Sequence, residues 1–68
     1  MRQVFVYPGG DGWWTVECPS LPGCISQGQS KEEALTNIRE AIDLYEEVLR
    51  EDGREVPEDS FEALLVAV

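Results

Sequence analysis

A chain of 68 residues with 43% hydrophobic content and a net charge of −9 allows one domain, residues 1–68, with a thin core, because a chain near 60 residues buries only about 60% of the surface it exposes when unfolded. The hydrophobic fraction argues against disorder. The acidity argues against direct binding to a phosphate backbone and for a basic protein partner. No run approaches the roughly 20 apolar residues that cross a bilayer, and the short apolar stretch ahead of Pro8 is no secretory leader. The sequence therefore predicts a cytoplasmic protein with no membrane contact.

Val4-Phe5-Val6-Tyr7 is a β-branched and aromatic run followed by turn residues Pro8-Gly9-Gly10-Asp11-Gly12, the pattern of a first strand entering a hairpin. Trp13-Trp14-Thr15-Val16-Glu17-Cys18 reads as the second strand, ended by Pro19, which lacks a donor. Pro19-Ser20-Leu21-Pro22-Gly23 is a rigid loop, Cys24-Ile25-Ser26 a short third strand, and Gln27-Gly28-Gln29 a connector.

Ser30-Lys31-Glu32-Glu33 is a capping box. Behind it Ala34, Leu35, Ile38, Ala41, Ile42, Tyr45, Val48 and Leu49 recur at spacings of three and four, the stripe of an amphipathic helix. Gly53 supplies the left-handed closure, so the spacing predicts a helix from Ser30 to about Glu51, about 30 Å long. A polar connector containing Pro57 leads to the apolar residues 61–68, read as a final strand because a short continuous apolar run suits a doubly covered sheet position. A short helix capped by Ser60 is the competing reading.

The expected fold is α+β in two layers, β-β-β-α-β: a three-stranded antiparallel meander with one long helix on one face, and the final strand. One helix covers one sheet face, yet the strands are apolar on both. The uncovered face is then an interaction surface, and the chain is expected to associate with itself, with a partner, or both.

The chain contains no histidine, which excludes His-based acid–base and nucleophilic schemes, and its strands offer too few acids for a two-metal site. No enzyme, cofactor or metal site is expected. Cys18 and Cys24 flank a loop too short for a disulfide to stabilise much in a reducing compartment, and a metal wants about four ligands. Buried thiols are the favoured reading, with disulfide and metal as alternatives.

Candidate partner-binding residues follow from position. Trp13 and Trp14 alternate across the second strand, so one lies under the helix and the other on the uncovered face, where tryptophan anchors interfaces. Periodicity alone does not say which, and Trp13 is the interface candidate. Ser20 and Leu21 sit on the rigid loop, which presents groups at low entropic cost. Leu44 lies off the centre of the helix stripe. Asp43, Glu46 and Glu47 belong to an acidic helix face that Arg39 and Arg50 cannot neutralise, suited either to solubility or to steering a basic partner.

Asp11-Gly12 with Trp14, then Pro19-Ser20-Leu21-Pro22-Gly23-Cys24-Ile25-Ser26-Gln27-Gly28, then Ser30-Lys31-Glu32-Glu33-Ala34, Arg39-Glu40-Ala41, Asp52-Gly53 and Pro57 together resemble the N-terminal domain of HicB-like antitoxins over most of the chain. The resemblance implies a partial ribonuclease-H-like sheet. It also implies a role in neutralising a HicA-type toxin, a small basic ribonuclease that cleaves mRNA, by masking its RNA-binding surface. In that family a separate C-terminal module binds DNA. This chain departs from the pattern by ending at Val68 without that module, by Ser20 where the family usually has an aspartate, and by Trp13 where a smaller residue is common. It is similar to the short solitary members, for which an orphan oligomeric scaffold or regulator without a toxin is the alternative function.

Overall fold

In the computed structural model, which describes residues 1–60 and 65–68, three strands precede one long helix: β1 Phe5–Gly10, β2 Trp13–Glu17, β3 Ile25–Gly28 and α1 Lys31–Glu51. The strands form one antiparallel sheet in the order β1-β2-β3, and α1 packs on one of its faces. This is the expected α+β arrangement. The first half of the expected final strand, residues 61–64, lies outside the described residues, and residues 65–68 are exposed and do not form a strand.

The β1–β2 hairpin turns on two residues. Asp11 and Gly12 have φ of 53° and 80°, the pair of positive values that a type I′ turn requires and that an Asp-Gly dipeptide tolerates best. So tight a turn leaves Pro8, Gly9 and Gly10 inside β1, three residues beyond the end expected from the sequence. Pro8 is accommodated because β1 is an edge strand. Pro8 pairs with Trp14 and Gly10 with Trp13, so Gly9 is the extra residue of a bulge. A Cβ on Gly9 would collide with the Thr15 hydroxyl.

Alternation sorts the sheet into two faces. Val6, Trp14, Val16 and Cys18 point toward α1, with Val16 fully buried on the central strand. Phe5, Tyr7, Trp13, Thr15, Glu17, Ile25 and Gln27 lie on the other face, where Phe5, Glu17 and Ile25 form one row across the strands and Tyr7, Thr15 and Gln27 the next. The core is Val16, Cys18, Leu21, Cys24, Ala34 and Ile38, widened by Val4, Trp14, Ala41, Ile42 and Tyr45.

The helix begins and ends as its residues dictate. Ser30, extended at φ −137° and ψ 165°, accepts at Oγ from the Glu33 amide at 3.0 Å. Glu32 and Glu33 lie in the positive first turn and Arg50 in the negative last turn. At the far end Gly53 has φ 68°; its amide donates to the Arg50 carbonyl at 3.0 Å, and the Arg54 amide to the Leu49 carbonyl at 2.8 Å. These are the two bonds of a Schellman motif.

Helix and sheet meet closely at Gly28. A Cβ there would stand 2.5 Å from the Ala34 amide nitrogen and 2.9 Å from its Cα, so only glycine lets β3 approach the first turn of α1. Asn37 ties the same junction by donating to the Gln27 carbonyl at 2.7 Å.

Candidate functional site

Four features of the fold bear on what this chain could engage: two lie on α1, one on the sheet, and one ties the terminal segments to the helix. The outward face of α1 carries Glu32, Glu40, Asp43, Glu47 and Glu51, all exposed. From Glu40 on, their spacing sets like charges three and four residues apart, and the face stays acidic because these five acids outnumber the exposed Arg39 and Arg50 on the same helix.

The pairing of Arg2 is the second feature. The Arg2 side chain, 10% exposed, forms an ion pair with Glu46 at 3.1 Å. It also donates to Ser20 Oγ at 3.0 Å and to the Pro57 carbonyl at 2.6 Å. The Ser20 hydroxyl in turn donates to Asp59 at 3.0 Å, and the other Asp59 oxygen accepts from the Gln3 amide at 3.0 Å. One guanidinium fork thus joins the N-terminus, the loop at residues 19–23, the helix and the connector, a use of geometry that lysine could not match.

The third feature is the uncovered sheet face. Phe5, Tyr7, Trp13 and Ile25 are exposed there. The Tyr7 hydroxyl donates to Glu17 at 2.5 Å, and that bond to the carboxylate, ahead of burial and charge repulsion, raises the Tyr7 pKa above 10.0. The fourth is a groove of about 460 Å³ along the other flank of α1, lined by Ile25, Leu44, Tyr45, Val48 and Arg54 among others. Leu44, at 61% exposure, is its most accessible helical side chain.

The residues expected to bind a partner are therefore not one cluster. Asp43, Leu44 and Glu47 share the exposed part of the helix, while Trp13 lies on the opposite side of the molecule at 38% exposure. Ser20 and Glu46 come together, but as anchors of Arg2. Leu21 must be corrected. Its exposure is 0%, because the loop folds it inward: the Leu21 amide donates to the Cys18 carbonyl and the Cys24 amide to the Leu21 carbonyl. Tyr45 fastens the loop from outside through the Pro22 carbonyl at 2.8 Å. A core residue touches no partner. Arg2 and Asp59 escaped the sequence reading, since isolated polar residues in terminal segments carry no periodic signal.

Cys18 and Cys24 are both free and buried, and the Cys18 amide donates to the Cys24 carbonyl at 2.9 Å. Burial, reinforced by Cys18 and opposed by Arg2, pushes the Cys24 thiol up, so it is a poor nucleophile. Among the described residues no group of three or more acids or cysteines could hold a metal ion, and no helix is long and apolar enough to cross a membrane.

Residues 3–66 match the family model described as the HicB-like antitoxin of bacterial toxin–antitoxin systems. The chain belongs to this family. It is 43% identical over 63 residues to a UPF0150 protein of Thermoplasma acidophilum, covering 93% of this chain and 91% of that one. A UPF0150 protein of Synechocystis is 49% identical over 49 residues, 72% of this chain and 62% of the relative. One from Archaeoglobus fulgidus is 49% identical over 45 residues, 63% and 65% of the two chains. No solved structure matches. A HicB-like antitoxin is a regulatory protein of a toxin–antitoxin system, which is the setting for the acidic helix face.

Proposed function

We propose that this HicB-like chain is a protein-binding antitoxin that neutralises a small basic RNA-cleaving toxin of HicA type by laying the outward face of α1 over the toxin's RNA-binding surface, and that it does so in the cytoplasm as a self-associated protein. The observation that carries this reading is the run of exposed carboxylates Glu40, Asp43, Glu47 and Glu51 on one helix, which outnumber the exposed Arg39 and Arg50 beside them. A surface that grips RNA presents lysines and arginines to phosphates, and a rigid row of carboxylates competes for those cations. The same charges draw the partners together before contact, raising the association rate by about 10- to 1000-fold at low salt.

Charge reversal tests this. Reversing Glu40, Asp43 and Glu47 together leaves Glu46, and with it the Arg2 anchor, untouched. In 20 mM salt, stopped-flow association with a HicA-type toxin is expected to slow by at least tenfold. An unchanged rate would remove the helix face from the interface. The orphan-scaffold reading draws on the exposed apolar sheet face rather than on the acids. It predicts that no small basic protein is bound at all.

A further inference from the structure

We infer that the uncovered sheet face is where two copies of this chain pack, back to back, with their helices facing outward. The inference takes self-association from the reading above and adds the surface and the occupant. Phe5, Tyr7, Trp13 and Ile25 stand 38% to 56% exposed on that face, and its polar members on β2 and β3 are Thr15, Glu17 and Gln27. Among the described residues Glu17 is the carboxylate on that face, and it accepts from the Tyr7 hydroxyl.

Charge selects the occupant. The chain carries −9, and its acids crowd α1 and the connector on the opposite side of the sheet. A basic partner is drawn to that side. A second copy is repelled from it and meets least opposition at the sheet face. Packed sheets stand about 10 Å apart, and each helix layer adds about as much again, so the two acidic helices lie about 30 Å from each other. This is several times the ~8 Å screening length at physiological salt. The competing surface fails the same criterion. The groove flanked by Leu44 and Val48 is lined by Arg54 but borders the helix turns that carry Glu40, Glu47 and Glu51, so two copies meeting there would bring acidic rows together with one lining cation per copy against them. Back-to-back packing also leaves both α1 faces free, and a toxin would bind one per chain.

Sedimentation equilibrium of the full chain at low and high salt tests the inference, using the double variant Phe5→Glu, Trp13→Glu, whose positions lie outside the Leu44 groove, and the single variant Leu44→Glu, each first shown to be helical by circular dichroism. The wild type is expected to be a dimer that tightens as salt rises from 20 to 500 mM, since salt screens the repulsion between like-charged copies. The double variant is expected to weaken dimerisation at least tenfold, and Leu44→Glu to leave it unchanged. Without any variant, acrylamide quenching of tryptophan fluorescence should fall as protein concentration rises and Trp13 is covered. A wild type monomeric at 100 µM, a dimer that survives the double variant, a dimer lost in Leu44→Glu, or quenching independent of concentration would each overturn the proposal. Pull-down of a HicA-type toxin separates the two readings. A monomeric face variant that still binds toxin leaves the antitoxin reading standing, whereas a dimer that binds no toxin leaves the back-to-back contact standing and removes the antitoxin reading.

Discussion

At the scale of single residues, two contacts make claims that can be measured. Tyr7 donates to Glu17 and its pKa is raised above 10.0. A raised folded-state value means that stability from this pair is fully present below the unfolded value and is lost as pH climbs through the folded one. In a Tyr45→Phe background, phenolate absorbance should therefore rise with a midpoint above 10.0, and Glu17→Gln should bring it down; a midpoint at or below that of free tyrosine would contradict the contact. Gly28 is the second case. Gly28→Ala drives a methyl into the Ala34 backbone, which cannot move aside as a side chain would. The expected cost is about 1–3 kcal/mol in urea unfolding, where a substitution without the clash would be neutral or stabilising. At this scale the sequence was partly legible. Alternation along β2 set Trp13 and Trp14 on opposite faces, and the fold puts Trp14 inward and Trp13 outward; which of the two goes inward is fixed by the register of the whole strand against the helix, not by alternation. Leu21 was not legible: a proline-rich loop has no period, and whether its apolar residue points in or out is decided by turns that only the folded chain defines.

At the scale of elements, the helix was the most legible part of the molecule. Its cap, stripe and closing glycine are all local features, and local features survive into the fold. Ser30→Ala removes the hydroxyl that holds the Glu33 amide and should lower stability by about 0.5–2 kcal/mol. Gly53→Ala forces an L side chain into the left-handed conformation with no neighbour to collide with, so its cost is backbone strain alone, about 1–2 kcal/mol. Equal stabilities of these variants and the wild type in thermal melts would deny the caps their role. The strands were less legible at their ends. β1 runs through Pro8 to Gly10 because an edge position excuses proline and the Asp11-Gly12 turn needs nothing beyond its own two residues. Edge status depends on neighbours distant in sequence, and no window of the chain contains it.

At the scale of the whole molecule, charge and apolar surface are segregated: carboxylates on the helix side, exposed aromatics on the sheet side. The two surfaces should respond to salt in opposite directions. Association through the helix face weakens as salt rises, while association of like-charged copies through the sheet face strengthens. The network around Arg2 ties these layers to the terminal segments. Arg2→Ala would leave Glu46, at 20% exposure, without its cation and Ser20 without the donor it accepts from. The sequence announced the acidity and the doubled apolar faces, and so the existence of interaction surfaces. It could not show that Glu46 and Ser20 are committed within the fold, because that depends on where Arg2 reaches. The central claim is that this chain silences a toxin by covering it. The most direct measurement is cleavage of RNA by a purified HicA-type toxin, titrated with the chain. Cleavage is predicted to stop at about one chain per toxin, and to persist to higher ratios with the Glu40, Asp43 and Glu47 charge-reversal variant. Undiminished cleavage at tenfold excess of the wild-type chain would contradict the account.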